Sequence, residues 1–439
     1  MYGGDNSLRT LPTVLVKQIV SFSFEGVPEM AILPNWRNAS GTQCPPLFTD
    51  TSGAYQVGVL IKYSDWHILT FKRSLTTGQL LTSKDLGTVG ALVTYGITPI
   101  KSDALGGDVH YACCCALDDR NRMWVAGNSL AETPHLIRTN VSADAGLNGW
   151  TTFTWPYPGF NATTGGAFCT YQNFQRLSTG ELILHIDQRE SSGAAEGKDN
   201  LAYYLPLGSD TWTPLVGTGE LLTSEATTPN RIYLTGIFTE LTPHKDRVWI
   251  SYVWRQDWTD VTTSVEPGIL YNDTVFNENT WKRIDGTSQP MPVTYANTTG
   301  TSATIPLPSG HTYWYSTGQI SIDFNGHPHL VTGPGGVNRH VWHDGSAWQV
   351  ENIATTATTP APFTLANGNT LIYREFQNRV RVSKMASGSP AFDLGNPVPS
   401  NWDQPYADPV QLSQGKLHLL VPNGDIPEVY TVGDPAGIH

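Results

Sequence analysis

A short phrase recurs seven times along the chain: an apolar residue, a polar turn that usually contains Gly, Asp or Asn, and then an alternating or apolar segment. Each copy predicts a β-hairpin, because these turn residues adopt the backbone conformations that join two antiparallel strands. The seven copies occupy residues 49–57, 117–125, 177–184, 241–250, 322–330, 365–373 and 412–419. Several copies are followed by a polar segment and a tryptophan, at Trp150, Trp212, Trp281, Trp348 and Trp402.

The spacing of the copies narrows the fold class. One supersecondary unit that recurs every 40 to 80 residues or so, with unequal segments in between, is typical of propeller blades. A β-helix would need a much shorter period, and a β-sandwich would not repeat the unit so often. We therefore predict an all-β chain, a seven-bladed β-propeller, with residues 1–439 as a single domain. The apolar segment 14–20 has no hairpin partner nearby, and we expect it to complete the last blade and close the ring.

Two stretches, 259–279 and 287–311, are rich in Thr, Asn and Pro. We interpret them as the longest insertions between blades. Insertions of that size are usually functional or mobile.

Composition and charge exclude several classes of partner. The formal net charge is −12, with no visible basic stripe, which argues against nucleic acid as a partner. No apolar stretch approaches the roughly 18 residues of a membrane span, so we expect no membrane insertion. The first residues lack the pattern of an export signal. We expect an extracellular or periplasmic location if a signal has been trimmed, or alternatively a place in a virion; the oligomeric state stays open.

The five cysteines follow no metal-binding spacing. Three of them are consecutive, Cys113 to Cys115, and no CxxC pair occurs. We interpret the triplet as small apolar residues of a buried strand. No metal ligand is predicted, any cofactor is unknown, and a structural calcium or zinc ion stays open.

Three segments combine polar and aromatic residues at equivalent places in adjacent blades. In each segment a residue near the start of one strand is matched by a residue near the end of the next antiparallel strand, so both lie at the same end of the blade. These residues would share one rim, and the convergence of His, Tyr and Arg suggests acid–base chemistry on an anion. They are His110, Asn128, Tyr171, Arg189, Tyr233 and Arg255.

The same segments resemble the BNR-repeat propellers that include the ulvan lyases, a group of polysaccharide lyases. The shared phrases occur in the same order, at residues 108–110, 127–129, 170–174, 188–193 and 252–255. The resemblance covers about residues 100–260 well, and the rest only through the hairpin phrase. Ser129 stands where the family has a second histidine, and Gln172 stands where it has a proline.

The resemblance implies a β-elimination at a uronic acid, for which no cofactor is required. The implied catalytic residues are His110, Tyr171, Arg189 and Arg255. The two arginines would clamp the carboxylate, since a guanidinium stays charged and binds carboxylate in a bidentate fork. His110 and Tyr171 would be base and acid, in an order the sequence leaves open. We expect further substrate-binding residues at Asn128, His135, Arg231, Tyr233 and Trp254.

A second function class stays open at this stage. A glycan-binding propeller without catalysis, such as a phage tail or virion surface protein, would fit Ser129 and the Thr-, Gly- and Asn-rich composition. The retained His110, Tyr171, Arg189 and Arg255 favour a lyase. A protein-interaction propeller is a third class, because the fold alone hosts all three uses.

Overall fold

The computed structural model describes most strands of the chain and part of its loops. The described residues are 18–21, 32–33, 47–62, 67–86, 113–127, 135–153, 168–189, 198–217, 220–222, 231–240, 246–255, 265–273, 280–306, 320–322, 325–332, 338–353, 362–364, 370–375, 379–384, 392–397, 406–408, 410–411, 417–423 and 426–432.

Within these residues, β-strands form seven antiparallel sheets of four or five strands, numbered I to VII along the chain. The first strand, β1 (Gln18–Ser21), belongs to the last sheet. Sheet I comprises β2 (Ile32–Leu33), β3 (Leu47–Thr49), β4 (Tyr55–Lys62), β5 (His67–Ser74) and β6 (Leu80–Asp85). Sheet II comprises β7 (Cys113–Leu117), β8 (Met123–Gly127), β9 (His135–Thr139) and β10 (Trp150–Phe153). Sheet III comprises β11 (Phe168–Arg176), β12 (Leu182–Arg189), β13 (Lys198–Leu205), β14 (Thr213–Pro214) and β15 (Glu220–Leu222).

The remaining sheets repeat the same order. Sheet IV comprises β16 (Arg231–Glu240), β17 (Arg247–Arg255), β18 (Val265–Asn272) and β19 (Trp281–Lys282). Sheet V comprises β20 (Ile320–Ile322), β21 (Pro328–Thr332), β22 (Asn338–His343) and β23 (Trp348–Ile353). Sheet VI comprises β24 (Pro362–Thr364), β25 (Thr370–Glu375), β26 (Arg379–Lys384) and β27 (Phe392–Pro397). Sheet VII comprises β28 (Tyr406–Ala407), β29 (Leu417–Asn423), β30 (Ile426–Val432) and β1.

The hairpin prediction is confirmed for all seven phrases. Each phrase lies between two strands that pair with each other: β3–β4, β7–β8, β11–β12, β16–β17, β20–β21, β24–β25 and β28–β29. Three of the trailing tryptophans, Trp150, Trp281 and Trp348, begin the fourth strand of their sheet, and Trp212 directly precedes one. Trp402 lies outside the described residues.

The two ends of the chain meet in sheet VII. β1 pairs antiparallel with β30, with Ile19 opposite Tyr430, as expected for segment 14–20, of which residues 14–17 lie outside the described part. Sheet VII is tied to sheet I through Asp408, whose carboxylate accepts a hydrogen bond of 2.6 Å from Thr49 Oγ1 and another from Gln56 Nε2. Asp408 is fully buried, and burial raises its pKa despite these bonds.

Neighbouring sheets pack on each other in chain order. The first strands touch in sequence, β7 against β11, β11 against β16, β16 against β20 and β20 against β24. Apolar side chains fill the spaces between the sheets, and the largest fully buried ones include Trp124, Trp249 and Trp281. This packing gives sheets II, III and IV a fixed side-by-side order.

The interpretation of 259–279 as one irregular insertion is wrong, because residues 265–272 form β18, the third strand of sheet IV. Pro267 and Gly268 interrupt the alternating residue pattern that is typical of a strand. Gly268 is required by packing: a Cβ there would lie 2.2 Å from Cζ of Tyr252 on the neighbouring strand. The described part of the second stretch, residues 287–306, includes a one-turn helix, α1 (Tyr295–Thr298).

Cys114 and Cys115 are fully buried in β7, as expected for small apolar residues of a strand. None of the helices in the described ranges is long and apolar enough to span a bilayer.

Candidate functional site

Contacts between hairpin turns fix the relative direction of sheets I to IV. Thr51 Oγ1 lies 3.3 Å from Asn121 Oδ1, which joins the first turns of sheets I and II. The turn of sheet III is joined to that of sheet IV by Ser178, whose N–H and Oγ donate to the Asp246 carboxylate at 2.6 and 2.8 Å. Between sheets II and III, a Cβ on Gly180 would lie 3.4 Å from Cβ of Asp119. The opposite ends of these sheets therefore share one side, which we call the candidate rim.

The candidate rim is defined by where the first strands begin and the second strands end. In sheet II it contains Cys113, Gly127 and His135; in sheet III Phe168, Arg189 and Lys198; in sheet IV Arg231, Arg255 and Val265. Of the six residues predicted to share a rim, the strand directions place Arg189 and Arg255 at this end of their sheets. Which of their side chains converge stays a prediction.

Sheet IV places two predicted site residues directly opposite each other. Arg231 at the start of β16 is the register partner of Arg255 at the end of β17. Opposed residues of antiparallel strands lie on the same face, with Cβ atoms about 5 Å apart, and like charges there repel.

Sheet III repeats this arrangement with a residue that the sequence reasoning missed. Arg189 at the end of β12 is the register partner of Lys198 at the start of β13. Asp187 lies two positions further in on the same strand and is opposite Thr170 and Asn200. Two opposed basic pairs thus occupy the rim ends of neighbouring sheets, and the nearest carboxyl residues in register are Asp187 and Asp199 in sheet III and Glu266 in sheet IV.

A β-bulge shows that Arg189 and Arg255 are structurally equivalent. In sheet III the register shifts between Thr170 and Asn173, and in sheet IV it shifts between Tyr233 and Gly236. In both sheets the arginine lies two residues beyond the partner of the last pair before the bulge. Bulges of this kind are common beside active sites, where they redirect side chains.

Two of the other predicted residues, Tyr171 and Tyr233, lie at or beside these bulges. Tyr171 lies within the bulge of β11, Tyr233 forms the last regular pair before the bulge of β16, and His135 begins β9 opposite Gly127. His110 and Asn128 lie outside the described residues.

Trp254 occupies the core beneath Arg255. Its ring is 2% exposed, and its Nε1 donates a 3.0 Å hydrogen bond to Thr298 Oγ1 of α1. The rings of Tyr252 and Tyr295 pack edge-on against it, with centroid distances of 5.8 and 5.7 Å. Burial also raises the pKa of the Tyr252 phenol. In this structure Trp254 supports the end of β17, and its predicted contact with substrate stays a prediction.

A buried polar group supports the rim end of sheet III. His185 is fully buried, and its Nε2 lies 3.2 Å from Oδ1 of Asn200 on β13. Opposite His185, Asn173 accepts a 3.0 Å hydrogen bond from Gln175 Nε2. The first contact joins β12 to β13 just below the bulge, and the second lies within β11.

The turn end of the same sheets differs in its electrostatics. There Arg122 binds Asp118 and Asp210 at 2.8 Å each, and Arg138 also pairs with Asp210. At the turn end of sheet IV, Arg247 binds Asp273 at 2.7 Å. The described cations at the turn end are thus matched by carboxylates, whereas at the candidate rim two pairs of basic residues are opposed in register.

No group of three or more His, Cys, Asp or Glu side chains that could hold a metal ion occurs in the part of the chain that the structure describes.

No family model matches the chain, and no curated protein sequence matches it. A crystal structure of the polysaccharide lyase Uly1 is similar, with a TM-score of 0.61 at 12% identity over 95% of this chain and 99% of that one. An ulvan lyase of polysaccharide lyase family PL25, bound to GlcA(1-4)Rha3S, is similar with a TM-score of 0.63 at 14% identity over 92% of this chain and 94% of that one. The chain thus shares the all-β, propeller-type fold of these polysaccharide lyases.

Proposed function

We propose that this chain is a polysaccharide lyase that cleaves a uronic-acid-containing, ulvan-like anionic polysaccharide by β-elimination. The observation that carries the proposal is the pair of opposed basic positions at the rim, Arg231 with Arg255 and Arg189 with Lys198. An anionic ligand relieves the repulsion within each pair. The chain has 26 Lys and Arg against 38 Asp and Glu, so this concentration of positive charge does not follow from composition.

The reaction needs three kinds of group. A base removes the proton from C5 of the uronate, the electron pair forms the C4–C5 double bond, and the C4–O4 bond breaks. The departing O4 takes a proton from an acid. Negative charge develops on the carboxylate next to C5 as the proton leaves, and preorganised cations stabilise that charge.

We assign these roles to the residues at the rim. Arg189 and Arg255, equivalent on adjacent sheets, hold the uronate carboxylate. His110 and Tyr171 act as base and acid, with the order open. The assignment of His110 rests on the resemblance in sequence, and that of Tyr171 also on its place in the bulge of β11.

The other rim residues bind substrate in this proposal. Lys198 and Arg231 add positive charge beside the clamp, and Asn128, His135 and Tyr233 contact sugar units. The ligand named with the ulvan lyase structure, GlcA(1-4)Rha3S, combines a carboxylate with a sulfate ester, which would suit two basic pairs. The substrate is a polymer, so we place the action of the protein outside the cell or on a virion.

We also propose that the seven sheets are the blades of a closed propeller. The pairing of β1 with β30 and the link from Asp408 to Thr49 support this closure. Ile19→Pro removes a backbone donor from the β1–β30 pair, whereas Ile19→Ala keeps it. If the ring is closed, denaturant unfolding should show a much larger loss of stability for Ile19→Pro than for Ile19→Ala. Equal losses would contradict closure.

Binding without cleavage is the second candidate function, because Ser129 replaces a histidine of the resembling family. The two functions separate in one assay of the purified chain with ulvan and other acidic polysaccharides. Ultraviolet absorbance reports the unsaturated uronyl product, and affinity electrophoresis reports binding. Absorbance that rises with the wild type, and fails to rise with Tyr171→Phe, supports the lyase. Binding without any rise in absorbance supports the glycan-binding alternative and contradicts the lyase.

A further inference from the structure

Gln172 is a buried amide at the bulge of β11. Tyr171 and Gln172 together face a single residue of β12, Ile186, between the pairs Thr170–Asp187 and Asn173–His185. A bulge brings two consecutive residues opposite one partner, so Gln172 lies beside a proposed catalytic residue.

The amide of Gln172 has no partner among the described residues. Its side chain is 0% exposed, and neither Nε2 nor Oε1 makes a hydrogen bond. Its surroundings explain this: Ile186, opposite the bulge on β12, and Phe174, two residues further along β11, are both buried in an apolar cluster. Burying an amide without a partner costs free energy, because the hydrogen bonds to water are lost and not replaced.

The same strand contains a contrasting amide. Gln175 is also buried, but its Nε2 donates to Asn173 Oδ1 at 3.0 Å. On β11 the partnered amide, Gln175, thus lies three residues further from the rim, and the unpartnered amide, Gln172, lies in the bulge.

We propose that Gln172 is a ligand-contact residue whose amide binds sugar hydroxyl groups of the polysaccharide. This inference rests on the proposed function. An amide offers one acceptor and two donors, which suits a hydroxyl that both donates and accepts. The contact is uncharged, so it contributes to the choice of sugar, whereas the arginines recognise the negative charge. Because the amide is enclosed in the free chain, the side chains that cover it move when the ligand enters.

The test compares Gln172→Met with Gln175→Met. Methionine is unbranched and of similar length, so either variant keeps the packing and removes only the amide. Two quantities are measured on the full chain: the denaturant midpoint without ligand, and the affinity for ulvan by calorimetry at low and high salt.

A ligand-contact role predicts opposite results for the two variants. Gln172→Met is at least as stable as the wild type and binds ulvan about tenfold more weakly, by the same factor at both salt concentrations, since a neutral hydrogen bond is not screened. Gln175→Met is less stable and binds with unchanged affinity.

Two results would overturn this inference and leave the proposed function intact. In the first, Gln172→Met loses as much stability as Gln175→Met. In the second, the wild type binds ulvan and Gln172→Met binds it equally tightly. A wild type that binds no acidic polysaccharide would instead overturn the proposed function and, with it, the ligand assigned to Gln172.

Discussion

Arg231 and Arg255 are directly opposed on β16 and β17, at the end of sheet IV that lies away from the hairpin turns. Two like charges at directly opposed positions of antiparallel strands are destabilising. The same strand has a matched cation at its other end, where Arg247 binds Asp273 at 2.7 Å. The two ends of β17 therefore give one variant that tests ligand binding and one that serves as its control.

Arg255→Gln should reduce kcat/KM on the cleaved polysaccharide by about 100-fold, because it removes a cation that stabilises charge in the transition state. Its free energy of unfolding should stay equal to the wild-type value or rise, since the repulsion from Arg231 is relieved. Arg247→Gln should keep full activity. Steady-state kinetics and denaturant unfolding check both variants, and equal activity losses in the two would refute the assignment.

Lys198→Gln should weaken polysaccharide binding at low salt, because Lys198 shares its register position with Arg189. The difference from the wild type should shrink at high salt, where ions screen the interaction. Lys282, which binds Asp273 at 2.7 Å at the turn end, supplies the control variant Lys282→Gln. If Lys282→Gln weakens binding as much as Lys198→Gln does, overall charge accounts for the effect and the rim does not.

Thr298→Val should destabilise the fold by about 1–3 kcal/mol, because the buried indole N–H of Trp254 loses its acceptor. Thr211→Val changes an exposed threonine and should be close to neutral. Urea unfolding measures both. A neutral Thr298→Val would show that the helix α1 does not support Trp254.

The insertion after β19 should have an acid-sensitive contact at Asp285. Hydrogen bonds from Ser302 and Thr287 lower the pKa of Asp285 from 3.8 to about 2. A carboxylate whose pKa is lowered by folding stabilises the fold above its unfolded pKa, and that contribution disappears as the pH falls from 3.8 to about 2. The effect is small, because the carboxylate is exposed.

Asp285→Asn should therefore flatten the dependence of unfolding free energy on pH in that window, and Ser302→Ala should flatten it partly. Unfolding curves at a series of pH values give the comparison. An unchanged slope in Asp285→Asn would show that other carboxylates account for the acid sensitivity.

The hairpins were predictable from sequence because turn residues and strand alternation are local signals. The phrase at 117–125 shows this: it is the turn between β7 and β8, closed by Asp118, which accepts from the N–H groups of Arg120 and Arg122 at 2.9 Å each. The prediction of a common rim rested on strand direction alone.

The cross-strand partners of the site residues were not predictable, because they depend on the register between strands whose connections differ in length. The sequence does not reveal that Lys198 is opposite Arg189, because the register depends on the segment 190–197 between them. The available signal was a basic residue at the start of the third strand. Strand β18 was missed because Gly268 is a packing requirement of Tyr252 and resembles a loop residue in sequence.

The most direct test of the proposed lyase is the ultraviolet absorbance of the purified chain incubated with ulvan, compared with Arg255→Gln under the same conditions. If the chain is a lyase, we expect a steady rise in absorbance with the wild type and a rate about 100-fold lower with Arg255→Gln. No rise with ulvan or any other uronic-acid polysaccharide, from protein that is folded and binds one of them, would contradict it.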